Sequence, residues 1–144
     1  MKLTWQQKIL SISLIASVVI VISSCSFTKG KQTSERAVAR FHEQFNAGQY
    51  HDIYAQSDEG FRKVTSEQDA VALFDAVRRK LGTVKNANQN GWHVNATTAG
   101  TQVSLAYNTE FTEGKATEQF VFFVSGDNAR LFQYNINSPL LVTR

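Results

Sequence analysis

Val103-Ser104-Leu105-Ala106-Tyr107-Asn108-Thr109-Glu110-Phe111, followed by Phe120-Val121-Phe122-Phe123-Val124, decides the fold class. In the first run Val103, Leu105, Tyr107 and Phe111 alternate with Ser104, Ala106, Asn108 and Glu110, the period of a half-buried strand. The second run is apolar on both faces, as expected of a central strand. Glu113-Gly114 turns between them, Gly126-Asp127-Asn128 turns again, and Phe132, Tyr134 and Ile136 then alternate with Gln133, Asn135 and Asn137. Upstream, Trp92-His93-Val94-Asn95-Ala96-Thr97 reads as a further strand closed by Ala99-Gly100. Four successive strands with short turns predict an antiparallel meander.

Before Thr83 the period is helical. Val38, Phe41 and Phe45 recur at helix spacing with Ala37 beside them, Ser34 is the expected N-cap, and Gly48 is a stop. Tyr50, Ile53 and Tyr54 predict a short helix to about Gln56, after which Phe61 and Val64 are expected to tuck a connecting segment onto the core. Ser66 and Asp69 form a capping-box-like start for a helix whose expected buried stripe is Ala70, Leu73, Phe74, Val77 and Leu81, ended by Gly82. Asp75 and Arg79 are spaced for a surface ion pair, and Arg78-Arg79-Lys80 complement the dipole of a last helical turn. The expectation is an α+β domain: three N-terminal helices packed on a curved four-stranded antiparallel sheet.

The chain begins differently. Met1 to Lys8 is short and positively charged, Ile9 to Ile22 is apolar apart from three serines, and Ile22-Ser23-Ser24-Cys25 follows. A charged start, an apolar run and a small-residue cleavage site describe a signal peptide. The four residues Ile22, Ser23, Ser24 and Cys25 resemble the lipobox of bacterial lipoproteins. That resemblance implies cleavage before Cys25 and a diacylglyceryl group, with acyl chains such as palmitate, on its thiol. An ordinary signal with an incidental cysteine is one alternative. An uncleaved anchor is another, but the apolar run falls short of the roughly 20 residues that a spanning helix needs. The expected organisation is a signal over 1–24, a lipidated cysteine and polar tether over 25–33, and a domain over 34–144. Ser26 in place of an aspartate slightly favours the outer membrane in a Gram-negative envelope.

Composition removes some function classes. The 144 residues carry 15 basic and 12 acidic side chains, and Lys2 and Lys8 lie in the signal, so the remainder is nearly neutral despite a pI near 9.1. That balance gives no electrostatic footprint for nucleic acid. Cys25 is the sole cysteine, so no disulfide forms within the chain. His42, His51 and His93 are scattered, with no ligand spacing, and neither a metal nor a cofactor is expected. His42, next to Phe41, is expected on a solvated or boundary face.

The element order, with Phe45-Asn46-Ala47-Gly48-Gln49-Tyr50 before a short helix, a segment like Phe61-Arg62 to Ser66, and the arginine-rich end before Leu81-Gly82, resembles the nuclear-transport-factor-2-like superfamily. Within it the chain is similar to small bacterial lipoproteins of uncharacterised function. The resemblance spans Ser34 to Asn137 and implies a cone with a pocket at its wide end. Steroid-isomerase-like members place an acid base and a tyrosine–acid oxyanion pair in that cone. Here Glu110 is expected to point outward, Arg130 to join Phe132 at a strand edge on the inner face, and Glu118 to be ambiguous, so no acid pair is evident. Two readings remain for Tyr50, Tyr54, Phe74, Trp92, Tyr107 and Tyr134: a packed core, or an apolar pocket for a small amphiphile or a partner's side chain. The functional expectation is a tethered, non-catalytic binding or interaction module. The alternatives are an envelope isomerase or dehydratase using Asp52, His51 or Glu118, and a homodimer through Val121 and Phe123 on the outer sheet face.

Overall fold

The structure, a computed structural model, describes residues 28–98 and 100–142. The signal segment, the expected lipobox Ile22, Ser23, Ser24 and Cys25, and the first tether residues lie outside them. Helix α1 is described over 28–46, followed by α2 (Tyr50–Ala55), α3 (Glu59–Val64) and α4 (Glu67–Leu81). Strands β1 (Val84–Thr97), β2 (Gly100–Phe111), β3 (Lys115–Ser125) and β4 (Asn128–Asn137) come next, and α5 (Pro139–Val142) ends the described chain. The strands form one antiparallel sheet in the order β1-β2-β3-β4, with helices on one face: an α+β domain.

The described helices number five, not three. The segment expected to be a connection is helical because Asp58 caps it, its side chain accepting from the Gly60 amide at 2.8 Å. Phe61 is buried there as expected, but Val64 faces solvent at 83% exposure. Ser34 caps nothing. Residues 28–33, placed in the tether by the sequence, are already helical, Gly30 and Thr33 are buried, and the Ser34 hydroxyl donates back to the Gly30 carbonyl at 3.0 Å. In α4 the Ser66 cap and the Gly82 stop are as expected, and the Asp75–Arg79 pair forms. Leu73, however, stands 41% exposed, off the stripe of Ala70, Phe74, Val77 and Leu81.

Two devices fix the layers to each other. At the end of α1 the Asn46 side chain mimics a strand: its Nδ2 donates to the Val84 carbonyl at 3.0 Å and its Oδ1 accepts from the Val84 amide at 2.8 Å. The Asn46 carbonyl accepts from Arg78 Nη1 at 2.9 Å, so Arg78 does more than complement a helix dipole. Gly82 then turns α4 into β1 at φ +81°, where a Cβ would lie 1.8 Å from the Thr112 hydroxyl.

Bulges set which residues face inward. Opposite Val121 and Phe122 the β4 partners are Gln133 and Leu131, so Phe132 is an extra residue and the alternation shifts by one. Ala129, Leu131 and Tyr134 are buried, whereas Arg130, expected inward with Phe132, Tyr134 and Ile136, is exposed. Phe132 turns outward onto Phe123, with 5.4 Å between ring centroids. The core between helices and sheet is an aromatic stack of Phe41, Phe45, Phe74, Phe111, Phe120 and Phe122.

Candidate functional site

The helix stripe of α1 and the inner faces of β2–β4 converge on one polar cluster inside this core. Val38, His42 and Phe45 follow one another down the inward side of α1, and His42 is 8% exposed rather than solvated. On β3, Ala116, Glu118, Phe120 and Phe122 alternate inward, which settles the orientation of Glu118 at 1% exposure. Its Oε2 lies 2.8 Å from His42 Nε2 and accepts from the Thr109 hydroxyl at 2.5 Å. Its Oε1 accepts from the Tyr134 hydroxyl at 2.7 Å. Phe41 and Phe120 wall the cluster, the latter edge-on to the His42 ring at 5.7 Å. A buried carboxylate is tolerable only with such partners, because desolvating it alone costs many kcal/mol.

Tyr107 lies directly opposite Glu118 in the β2–β3 register. Burial, reinforced by the nearby Glu35 and Glu118 carboxylates, pushes its phenol up to about 12. Burial also raises Tyr134 well above the usual tyrosine value, helped by the charge of Glu118 and the bond to it. Both shifts favour the neutral phenol in the folded state. The stabilisation is therefore complete below the unfolded value near 10 and is lost as pH rises toward the folded values. The contribution of these two tyrosines should be constant up to about pH 10 and fall above it. Chemical denaturation at stepped pH checks this: Tyr134→Phe should flatten the alkaline fall, and an unchanged slope would refute the assignment.

The structure brings some of the six aromatic candidates together. Tyr50, Phe74 and Tyr134 contact in sequence, Tyr50–Phe74 and Phe74–Tyr134 each at 5.9 Å, and Tyr107 joins them through Phe120. Tyr54 sits apart, edge-on to Phe61 and donating to the Thr65 carbonyl at 3.1 Å. Trp92 is separate again, 55% exposed on edge strand β1 with Lys31 Nζ 5.7 Å from its ring centre. His51 does not meet Asp52; its Nδ1 lies 2.8 Å from Glu67 Oε1 on the solvent side of α2 and α4. Among the described residues no group of three His, Cys, Asp or Glu side chains could hold a metal ion.

The open concavities lie elsewhere. The sheet's outer face presents hydrogen-bonded rows: Asn88, Asn108, Thr117 and Asn137 form one, and Gly91, Ala106, Gln119 and Asn135 the next. A third holds His93, Ser104, Val121 and Gln133. The first row lies in a depression of about 590 Å³ and the other two in one of about 400 Å³. Neither is lined by Glu118, His42 or Tyr134. No protein-family model and no curated protein sequence matches the chain.

The sequence reading placed His42 toward solvent and passed over Thr109. The signal for His42 was its spacing, four residues after Val38 and three before Phe45. For Thr109 it was membership of the Val103–Phe111 alternation, in which the inward position between Tyr107 and Phe111 belongs to it.

Proposed function

We propose that the chain is a lipoprotein of the bacterial cell envelope, held to a membrane by acylated Cys25, whose folded domain binds a ligand or partner and catalyses nothing. The observation that carries the binding reading is where the chemistry is closed and where it is open. The buried acid–histidine pair, Glu118 and His42, is closed into the core, where Glu118 also accepts from two hydroxyls. The two concavities on the outer sheet face are lined mainly by amides and hydroxyls, which hold a ligand without activating it, with Glu110 and Lys115 beside one and His93 in the other; the exposed His51–Glu67 pair lines a third, on α2 and α4. The tether rests on the charged start, the apolar run and Ile22-Ser23-Ser24-Cys25. Among the described residues no helix is long and apolar enough to cross a membrane. We read the domain as nuclear-transport-factor-2-like, on its order of helices before an antiparallel meander and on bulges that bend the sheet over them.

One observation favours a catalytic reading instead: Glu118, His42 and Tyr134 form an acid, base and phenol constellation on the inner face. It requires a route to Glu118 that the packing of Phe41 and Phe120 closes. The tether is tested by intact mass of protein purified from bacterial membranes. Loss of everything before Cys25 together with added acyl mass is the expected result, and Cys25→Ser should abolish both. A full-length, unacylated wild-type chain would overturn the tether.

A further inference from the structure

The three central rows of the outer sheet face carry no Asp, Glu, Lys or Arg. Solvent-facing sheets are ordinarily studded with charges of both signs, so this neutrality is a chemical statement about what the face meets. Charge returns only beyond the rows. Glu110 and Lys115 face each other past the first, with Lys85 3.6 Å from Glu110, and Arg130 pairs with Phe123 past the third. A charged ligand seated on the second and third rows would lose its water without gaining a carboxylate, lysine or arginine counter-charge, and Glu110 and Lys115 beside the first depression offer one charge of each sign.

The hydrogen-bonding capacity is large and unspent. Asn108 Oδ1 accepts from Asn90 at 2.9 Å, whereas the side-chain amides of Asn88, Gln119, Gln133, Asn135 and Asn137 make no hydrogen bond among the described residues. Each planar amide offers donors and an acceptor side by side, the complement of neighbouring hydroxyl groups. Strand spacing repeats these groups about every 4.8 Å across the sheet. Gly91 and Ala106, in the row that Gln119 and Asn135 complete, bare the backbone and give the C–H face of a sugar ring an apolar floor. A Cβ at Gly91 would sit 3.7 Å from that of Ala106.

Other occupants fit less well. Protein interfaces are more than half apolar, yet Ala106 and Val121 are the aliphatic side chains in these rows, and a protein partner would desolvate many amides at cost. A lipid surface would require cations or large apolar anchors, and the rows hold neither.

We propose that this face is a binding site for uncharged, polyhydroxylated chains, that is, neutral saccharides. The proposal deepens the reading of the domain as a binding module and is independent of the tether.

The test uses the full chain, extracted in a detergent without a sugar headgroup and immobilised. It is presented with neutral oligosaccharides (chitotetraose, maltohexaose, cellohexaose and mannohexaose) and, in parallel, with sulfated and uronic-acid oligosaccharides. Retention of a neutral oligomer is expected. Gln119→Glu and Asn135→Asp, near-isosteric changes on exposed positions, should each weaken it about tenfold or more with the melting temperature unchanged, and Lys63→Ala on α3 should not. Retention of charged oligomers alone, retention unaffected by the two substitutions, or no neutral oligomer held at millimolar concentration would each overturn the proposal. So would a concentration-dependent dimer that the same substitutions abolish. Loss of saccharide binding in a chain that is still acylated removes the ligand class and leaves the tether standing, so the two failures are separable.

Discussion

Glu118→Ala should destabilise the domain by about 3–5 kcal/mol, a fall in melting temperature of roughly 10–20 °C. The loss comes from what remains behind. With the carboxylate gone, the Tyr134 and Thr109 hydroxyls and the His42 ring are left in an aromatic interior with no acceptor. Glu118→Gln keeps the shape and one carbonyl oxygen, and hydroxyls can reverse to accept from its amide, so it should cost only about 1–2 kcal/mol. The telling variant replaces the partners together. Glu118→Leu with His42→Leu, Tyr134→Phe and Thr109→Val should recover at least half of the single-mutant loss, because none of the cluster's side chains is then orphaned. Urea melts of the three proteins decide it. Glu118→Ala within about 1 kcal/mol of wild type would mean that water replaces the lost carboxylate and that the cluster is not dry.

Phe120→Ala should be comparably damaging, at about 3–5 kcal/mol, by a different mechanism. Phe120 is fully buried, and its ring contacts Phe41 and Tyr134 at 5.1 Å, His42 at 5.7 Å, and Tyr107 and Phe122 at 6.0 Å. Removing it opens a cavity that helix and sheet close around only partly. Phe123, three residues on and facing outward, contacts Phe132, and Phe123→Ala should cost only about 1 kcal/mol. Denaturant midpoints for the pair test the assignment of faces: similar losses would reverse it. Phe120→Ala and Glu118→Ala share neighbours, so the double variant should fall short of the sum.

The α+β class, the strand order and the helix caps at Ser66 and Gly82 were readable because each has a local signal. The failures have physical causes. Edge strand β1 starts at Val84, yet its first half, Lys85 to Gly91, is four amides with one lysine, one alanine and one glycine, and has no apolar alternation to betray a strand. The bulge at Phe132 defeats period-2 reading, since one inserted residue exchanges the faces and sends Arg130 outward. Glu118 and His42 lie on inward positions of regular elements, but a strand apolar on both faces left Glu118 ambiguous and His42 was placed toward solvent. Only the pairing of two residues 76 apart makes both burials tolerable, and no local pattern announces that pairing. Residues 28–33 looked like a solvated linker because Lys29, Lys31 and Gln32 are polar. In fact they continue α1, with Lys29 reaching Asp127 in the β3–β4 turn at 2.9 Å.

The Phe132 bulge also bears on how this sheet avoids growing. The Leu131 carbonyl beside it accepts from the Asp58 amide at 2.8 Å, so the start of α3 occupies the rim of β4 with a backbone bond that side-chain substitution would leave in place. Phe132 packs under Gly60 on the same side. The rim at β1 is interrupted by its own two register shifts, at Lys85 and Asn90. A strand from another molecule would therefore meet a stopped rim on one side and a broken ladder on the other. At high local density, this architecture resists polymerising edge to edge.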